Sequence, residues 1–250
     1  MGNSSVERFI EESNEAKSTQ DVARLFGNAL ENLGFDRFCY SLITDHPSLG
    51  LDAGHGVVQN YPDDWMAHYN ANNYQKKDPL PRYGFNTMRP FTWESLEQTC
   101  ELSPEEKKVM NEAREARLLN GVAIPICGTA GELAGVGMAS SSPIGRPGAT
   151  LLGKLRAIAM QFHLVYTELE IKDRPTPAAR PVNLTARERE ILHWAAEGKS
   201  DSVIAEILGV SHATIRFHMN NIFKKLNANE RTLATVKAIR TGLILPSYIG

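Results

Sequence analysis

Tyr61, Trp65 and Tyr69 follow one another at four-residue spacing, with Asp78 and Trp93 shortly downstream. On a helix that spacing puts the three aromatics on one side. Tyr and Trp each carry one hydrogen-bonding group on a large apolar body. Such a stripe either packs against a sheet or walls a small-molecule pocket in which a few polar groups fix the guest. A carboxylate held among them, Asp78, supplies an acceptor for a ligand N–H. A second concentration of chemistry lies in the run IAEILGVSHATIRFHMNNIFKKL, beginning at Ile204. Ile215, Met219, Ile222 and Leu226 recur at the spacing of one helical face, which reads as core. Thr214, Arg216, Phe217, Asn220, Asn221 and Lys224 occupy the opposite face. Arg216 is suited to a guanine edge or a phosphate, Asn220 to adenine and Phe217 to a thymine methyl. Thr214, Asn221, Lys224 and Lys225 suit phosphates, which position a protein without reading sequence. The bland alternative is an amphipathic helix with a solvated polar face.

The elements that must hold these residues are legible around them. Gly209 closes an apolar helix and Ser211 caps the next, here taken as 212–226. Two helices joined by so short a turn form a helix-turn-helix, whose second helix enters the major groove. Upstream, Thr185 and Glu188 have capping-box spacing, Gly198 ends that helix, and Ser200 or Asp201 caps the following one. Downstream, Asn227-Ala228-Asn229 breaks the recognition helix and 230–241 forms a fourth. The rest of the chain reads α, α, β, β, α, β, α, β, β, α, with helices near 4–16, 19–33, 62–70, 104–119 and 148–171. The strands fall near 37–44, 56–58, 89–92, 121–127 and 131–140, the last two joined by a turn at 128–131. The fold class is α+β: an N-terminal α/β/α sandwich with a mostly antiparallel sheet, then a four-helix helix-turn-helix domain. The expected divisions are a sensor and dimerisation domain at 1–172, a Pro-rich linker at 173–182 and a DNA-binding domain at 183–250.

Composition narrows the function. The chain has 250 residues, 42% of them hydrophobic, and a net charge of −2, which suits two globular domains. From Asn183 onward nine basic residues face six acidic ones, a balance of +3, so only the C-terminal part has the sign DNA demands. A weakly basic module favours a dimer on two half-sites. No apolar run is long enough for a membrane, no signal peptide is evident, and Cys39, Cys100 and Cys127 have no metal spacing, so the expected location is cytoplasmic. None of the seven histidines forms a metal-spaced helix pair, and no Gly-x-Ser-x-Gly elbow occurs, so no enzyme, metal or cofactor is expected. Neither Asp36 nor Asp45 sits in the frame of a phosphorylatable receiver, which disfavours a response regulator.

The segment 184–226 resembles the DNA-binding domain of the LuxR family of bacterial transcription regulators. Leu184, Thr185, Arg187, Glu188, Leu192, Ala195, Gly198, Lys199, Ile204, Ala205, Leu208, Ser211, Thr214, His218, Asn221, Lys225 and Leu226 stand where that family's pattern has them. The resemblance implies base contacts from Arg216, Phe217 and Asn220, and backbone contacts from Thr214, Asn221 and Lys225. His218 is expected to face inward. Glu230-Arg231-Thr232-Leu233-Ala234 departs from the family's usual Asn-Arg-Thr-Gln-Ala, which leaves a phosphate contact from Arg231 open. Tyr61, Trp65, Tyr69, Asp78, Pro79, Trp93 and Gly121 likewise resemble the sensor half of LuxR-type quorum-sensing regulators, which bind acyl-homoserine lactone autoinducers. That resemblance implies that Trp65 donates to the lactone carbonyl, Asp78 accepts the amide N–H, Tyr61 donates to the acyl carbonyl, and Tyr69 and Trp93 wall the ring. Gly137 stands where many relatives carry Ser or Thr. It predicts room for a branched or aryl acyl group, unless a water or a neighbour such as Met138 or Met160 fills the gap. The implied partners are double-stranded promoter DNA, an autoinducer and a second copy of the chain, with RNA polymerase a further candidate. The alternatives are a regulator of the same fold answering another small molecule or none, a response regulator, and a lactone-processing enzyme.

Overall fold

The computed structural model describes residues 5–46, 50–128, 131–173 and 182–244. They fall into two compact units, one holding residues 5–46, 50–128 and 132–173, the other residues 182–244. Most of the expected linker 173–182, and the centre of the turn at 128–131, lie outside the described residues.

The N-terminal unit is built on a five-stranded sheet of order β2-β1-β5-β4-β3. The strands are β1 (Arg37–Leu42), β2 (Gly54–Gln59), β3 (Phe91–Thr92), β4 (Leu119–Cys127) and β5 (Leu133–Ser140). Every neighbouring pair is antiparallel. Successive side chains along a strand point to opposite faces, and the two faces carry different residues. One presents Phe38, Tyr40 and Leu42 of β1 with Val122, Ile124, Ile126, Val136 and Met138 of the central strands. Against it pack α1 (Ser5–Asn14), α2 (Thr19–Glu31) and α7 (Ala149–Asp173), sealed by Phe26, which stacks on Phe162 at 4.3 Å and meets Phe38 edge-on at 5.0 Å. The other face is a floor of small residues, Cys39, Ser41, Ala123, Gly135 and Gly137. Over it lie α3 (Asp63–Ala71), α4 (Pro79–Thr87), α5 (Trp93–Thr99) and α6 (Pro104–Glu115), with a 3-10 turn at Tyr74–Lys76. The α/β/α sandwich is thus observed.

Two elements differ from expectation. Helices α4 and α5 occupy a stretch read as irregular apart from a strand, and that strand shortens to Phe91–Thr92. Pro79, Pro81 and Gly84 look like helix breakers, but proline at the first helical position loses no hydrogen bond. Asp78 caps α4 by accepting from the Leu80 backbone N–H at 2.9 Å, and Thr92 caps α5 by accepting from Ser95 N–H at 3.0 Å.

The C-terminal unit packs α8 (Ala186–Ala196), α9 (Asp201–Ile207), α10 (His212–Leu226) and α11 (Arg231–Arg240) around Ile191, Leu192, Ile204, Ile215, Met219 and Ile222. Thr185 and Glu188 form both halves of the capping box, Ser200 caps α9, and Ser211 caps α10 through Thr214 N–H at 3.1 Å. Gly209, at φ +62°, turns the chain between α9 and α10.

Candidate ligand cavity and nucleic-acid interface

Between the small-residue floor and the helices above it lies a cavity of about 90 Å3, below the roughly 300–1,000 Å3 usual for small-ligand sites. All six residues singled out from the sequence line it: Tyr61, Trp65, Tyr69, Asp78, Trp93 and Gly137. Their positions follow from the local fold. Helix α3 buries Trp65 and Tyr69 on its inner side, with the two rings edge-on at 5.8 Å. The cap of α4 presents Asp78, and the first residue of α5 is Trp93. Gly121 is obligatory beneath Trp93, because a Cβ there would run into the six-membered ring of the indole.

The polar groups of this cavity are unevenly satisfied. Asp78 accepts from Leu80 N–H at 2.9 Å and from the Tyr69 hydroxyl at 2.9 Å. As a residue it is half-buried, yet burial of its carboxyl group pushes the pKa up to about 6, with those two donors pulling the other way. Burial, reinforced by Asp78, holds the Tyr69 phenol well above its ordinary range, so Tyr69 stays a donor. Tyr69 therefore orients Asp78 besides walling the cavity. In contrast, the Tyr61 hydroxyl and the Trp65 indole N–H have no hydrogen-bond partner among the described residues, and Trp93 Nε1 is fully buried without one. Unmet donors in an apolar wall destabilise unless something meets them.

The space at Gly137 has an owner. A Cβ there would stand 2.9 Å from the Tyr61 hydroxyl, so the missing side chain makes room for that phenol and not for Met138 or Met160. The sequence reading did not place Cys39, Ser41 or His55 at the cavity, yet they line it too. His55 stacks flat on Tyr69 at 4.3 Å and lies 3.2 Å from Ser41 Oγ and 3.8 Å from Cys39 Sγ. Burial lowers its pKa to about 4, and burial raises that of Cys39 to about 12. Both groups are neutral near pH 7. The alternation of β1 was the available signal for Cys39 and Ser41. Nothing in the short, polar β2 pointed to His55.

On α10, Arg216, Phe217, Asn220 and Lys224 are exposed, while Thr214 and Asn221 are half-buried at the edge of the same face. Phe217 is 62% exposed, the largest exposure among the large hydrophobic residues described, which is costly for an aromatic unless a partner covers it. Lys225, expected to meet a phosphate, also makes two contacts within the unit. Its ammonium donates to Glu188 Oε2 at 2.6 Å and to the Asn183 carbonyl at 3.0 Å, bracing α10 against the start of α8. Arg231 similarly pairs with Asp201 and the Lys199 carbonyl, fastening α11 to α9. His218 is half-buried.

Residues 18–166 match the family model described as autoinducer binding domain, and residues 182–238 match bacterial regulatory proteins, luxR family. The quorum sensing-dependent transcriptional regulator RpaR of Rhodopseudomonas palustris is 35% identical over 75% of this chain and 74% of its own length. The transcriptional activator LuxR of Aliivibrio fischeri is 26% identical over 97% of this chain and 96% of its own. The crystal structure of Escherichia coli SdiA superposes with a TM-score of 0.70 at 25% identity, over 96% of this chain and 98% of that one. With one such domain on each structural unit and relatives aligned along nearly its whole length, the chain belongs to the LuxR family of quorum-sensing transcriptional regulators.

Proposed function

We propose that this regulator binds an acyl-homoserine lactone in the cavity over the sheet and binds promoter DNA as a homodimer through α10. The observation that carries the reading is the convergence of Tyr61, Trp65 and Asp78 on one cavity, with two of their three hydrogen-bonding groups unmet by protein. A lactone-amide ligand offers the complement. The Trp65 indole N–H donates to the lactone carbonyl, the Asp78 carboxylate accepts the amide N–H, and the Tyr61 hydroxyl donates to the acyl carbonyl. Tyr69 and Trp93 wall the ring. Because Tyr61 already fills the room at Gly137, the case for a branched or aryl acyl group rests on the remaining floor around Gly135.

The cavity binds without reacting. A thiol beside an imidazole within a lactone pocket invites comparison with a nucleophilic dyad. Burial raises Cys39 to about 12 and lowers His55 to about 4, the opposite of the shifts a thiolate–imidazolium pair needs.

On DNA, Arg216, Phe217 and Asn220 face the bases, and Thr214, Asn221 and Lys224 meet phosphates. Lys225 contributes by holding α10 in place. One such unit carries a balance of only +3, so two units on adjacent half-sites supply the affinity. The setting is the cytoplasm, where the promoter and RNA polymerase are met; among the described residues no helix is long and apolar enough to cross a membrane. Titration calorimetry of the full chain with a panel of acyl-homoserine lactones tests the ligand. Saturable one-to-one binding that Trp65→Phe weakens is expected; absence of heat with every lactone in the panel would sink the reading.

A further inference from the structure

Tyr74 is buried beside the cavity without being part of its wall. It is 2% exposed, yet neither Tyr74 nor Glu112 is among the described residues that line the cavity. Asn73, left-handed at φ +52°, starts the 3-10 turn that drops Tyr74 behind α3. From there Tyr74 touches the groups assigned to the lactone and its amide. Its ring lies 6.3 Å from that of Trp65 and meets Tyr69 edge-on at 5.8 Å. Both separations are within the range of aromatic pairs, roughly 4.5–7 Å. Its backbone carbonyl accepts from the Asp78 N–H at 2.7 Å. One residue therefore backs the lactone donor, the ring wall and the amide acceptor together.

What holds Tyr74 is a carboxylate on another helix. The Tyr74 hydroxyl donates to Glu112 Oε2 at 2.5 Å, and Nε2 of His68, on α3, donates to the same oxygen at 2.8 Å. The Tyr74 hydrogen bond, helped by His68 and Lys108 against the cost of burial, holds the Glu112 carboxyl below its ordinary range. It is ionised near pH 7 and only accepts. His68 in turn meets the Tyr74 ring edge-on at 5.5 Å. Helix α6, which carries Glu112, is tied to its other neighbours as well: Glu106 pairs with Arg82 of α4, and Arg114 with Glu97 of α5.

We propose that Tyr74 and Glu112 are positioning residues for the lactone head: the carboxylate fixes the phenol, and the phenol fixes the indole that meets the lactone carbonyl. This rests on the lactone reading above and deepens it. A site whose side chains are locked by their surroundings binds without first having to order them. Loosening Tyr74 costs most where direction matters, in the hydrogen bond from Trp65, and least in the apolar wall.

Two probes separate positioning from mere support. One is octanoyl-homoserine lactone. The other is N-cyclopentyl octanamide, which keeps the chain, the amide and a five-membered ring but lacks the lactone oxygens. By titration calorimetry on the full-length protein, the wild-type chain is expected to prefer the lactone by about two- to tenfold, the range for one neutral hydrogen bond. Tyr74→Phe removes one oxygen and keeps the ring. It is expected to bring that ratio close to one, chiefly by weakening the lactone. Glu112→Leu is expected to do the same, and Glu112→Gln, which keeps an acceptor, to restore part of the preference. Should Tyr74→Phe fail to fold, the two Glu112 variants, at a side chain 23% exposed, decide alone. Equal weakening of both probes, a ratio unchanged in either Tyr74→Phe or Glu112→Leu, or no recovery in Glu112→Gln would overturn the positioning role. A wild-type chain that binds both probes alike would overturn the assignment of Trp65 and the proposal with it. One that binds neither would instead overturn the lactone reading itself.

Discussion

In the C-terminal unit the carboxylate of Glu188, 4% exposed, accepts from the Thr185 backbone N–H at 2.7 Å and from Lys225 at 2.6 Å. In the N-terminal unit Trp93 Nε1, His46 Nε2 and Gln59 Oε1 are buried with no partner, and all the fully buried unpartnered side-chain atoms found among the described residues lie there. One unit closes its own hydrogen bonds; the other keeps donors unmet beside a cavity of about 90 Å3. The difference teaches where the chain is complete as folded and where it waits for a guest. A ligand binding only the folded sensor stabilises it by mass action, about 2.7 kcal/mol at a hundredfold excess over Kd. The DNA-binding unit has no such debt.

The largest effect expected from this contrast comes from breaking the self-sufficient unit. Glu188→Ala removes the acceptor shared by Lys225 and the Thr185 N–H, leaving Lys225 only the Asn183 carbonyl. Removing one partner of a buried pair costs about 3–5 kcal/mol, and the lower end applies because the Lys225 side chain is 35% exposed. Hydrogen exchange should show lost protection across α8 to α11 with α3 to α6 unchanged, and lactone affinity intact. Next in size is Asp78→Ala. Loss of a hydrogen bond to a charged acceptor predicts a lactone affinity lower by about 10- to 150-fold, with the protection of α8 to α11 unaffected. If the Asp78 variant bound lactone as the wild type does, the sensor would not be the half awaiting a partner.

A third expectation concerns pH. Burial raises Asp78 to about 6 in the folded chain, above its ordinary 3.8. The folded state thus holds more protons than the unfolded one between those values, and ligand-free stability from this group falls as pH rises through that window. Lactone affinity runs the opposite way, because the amide N–H needs the ionised carboxylate. It should hold steady above about pH 6 and weaken by up to about tenfold for each unit below. His55, near 4, titrates outside most of that range. Calorimetry from pH 5 to 8 should show the slope in the wild-type chain and a flat profile in Asp78→Asn.

How much of this was legible before the structure depended on how local the cause was. The capping box of Thr185 and Glu188, the cap at Ser211 and the apolar spacing of α10 are short-range and were readable residue by residue. The aromatic spacing of α3 and the position of Asp78 and Trp93 likewise pointed to one cavity. Helix α4 was missed because Asp78 was weighed only as a ligand group, though the same carboxylate is also its cap. His55 was invisible because its place depends on a pairing irregularity between two strands. The tenancy of Gly137 depends on a phenol that reaches it from outside the strand. The ion pair of Lys225 was unreadable for the same reason: its partner, Glu188, is 37 residues away.

That last pair supplies the finest test, since Lys224 and Lys225 are adjacent, alike in chemistry and unlike in setting. Lys224 is exposed, and its ammonium has no ion-pair partner among the described residues; Lys225 is committed to Glu188 and the Asn183 carbonyl. A lysine that meets a phosphate releases a counterion on binding, so Lys224→Ala should weaken DNA uniformly across sequences and lower the salt slope of log affinity by about 0.9. Folding stability should hardly change. Lys225→Met keeps the stem but strands Glu188, so it should lower the melting temperature of the C-terminal unit and leave the salt slope nearly as it was. Fluorescence anisotropy across a salt series, paired with thermal unfolding, separates the two. Equal salt slopes lost from both variants would return Lys225 to the DNA-facing set and erase the claim that this unit spends its buried charges on itself.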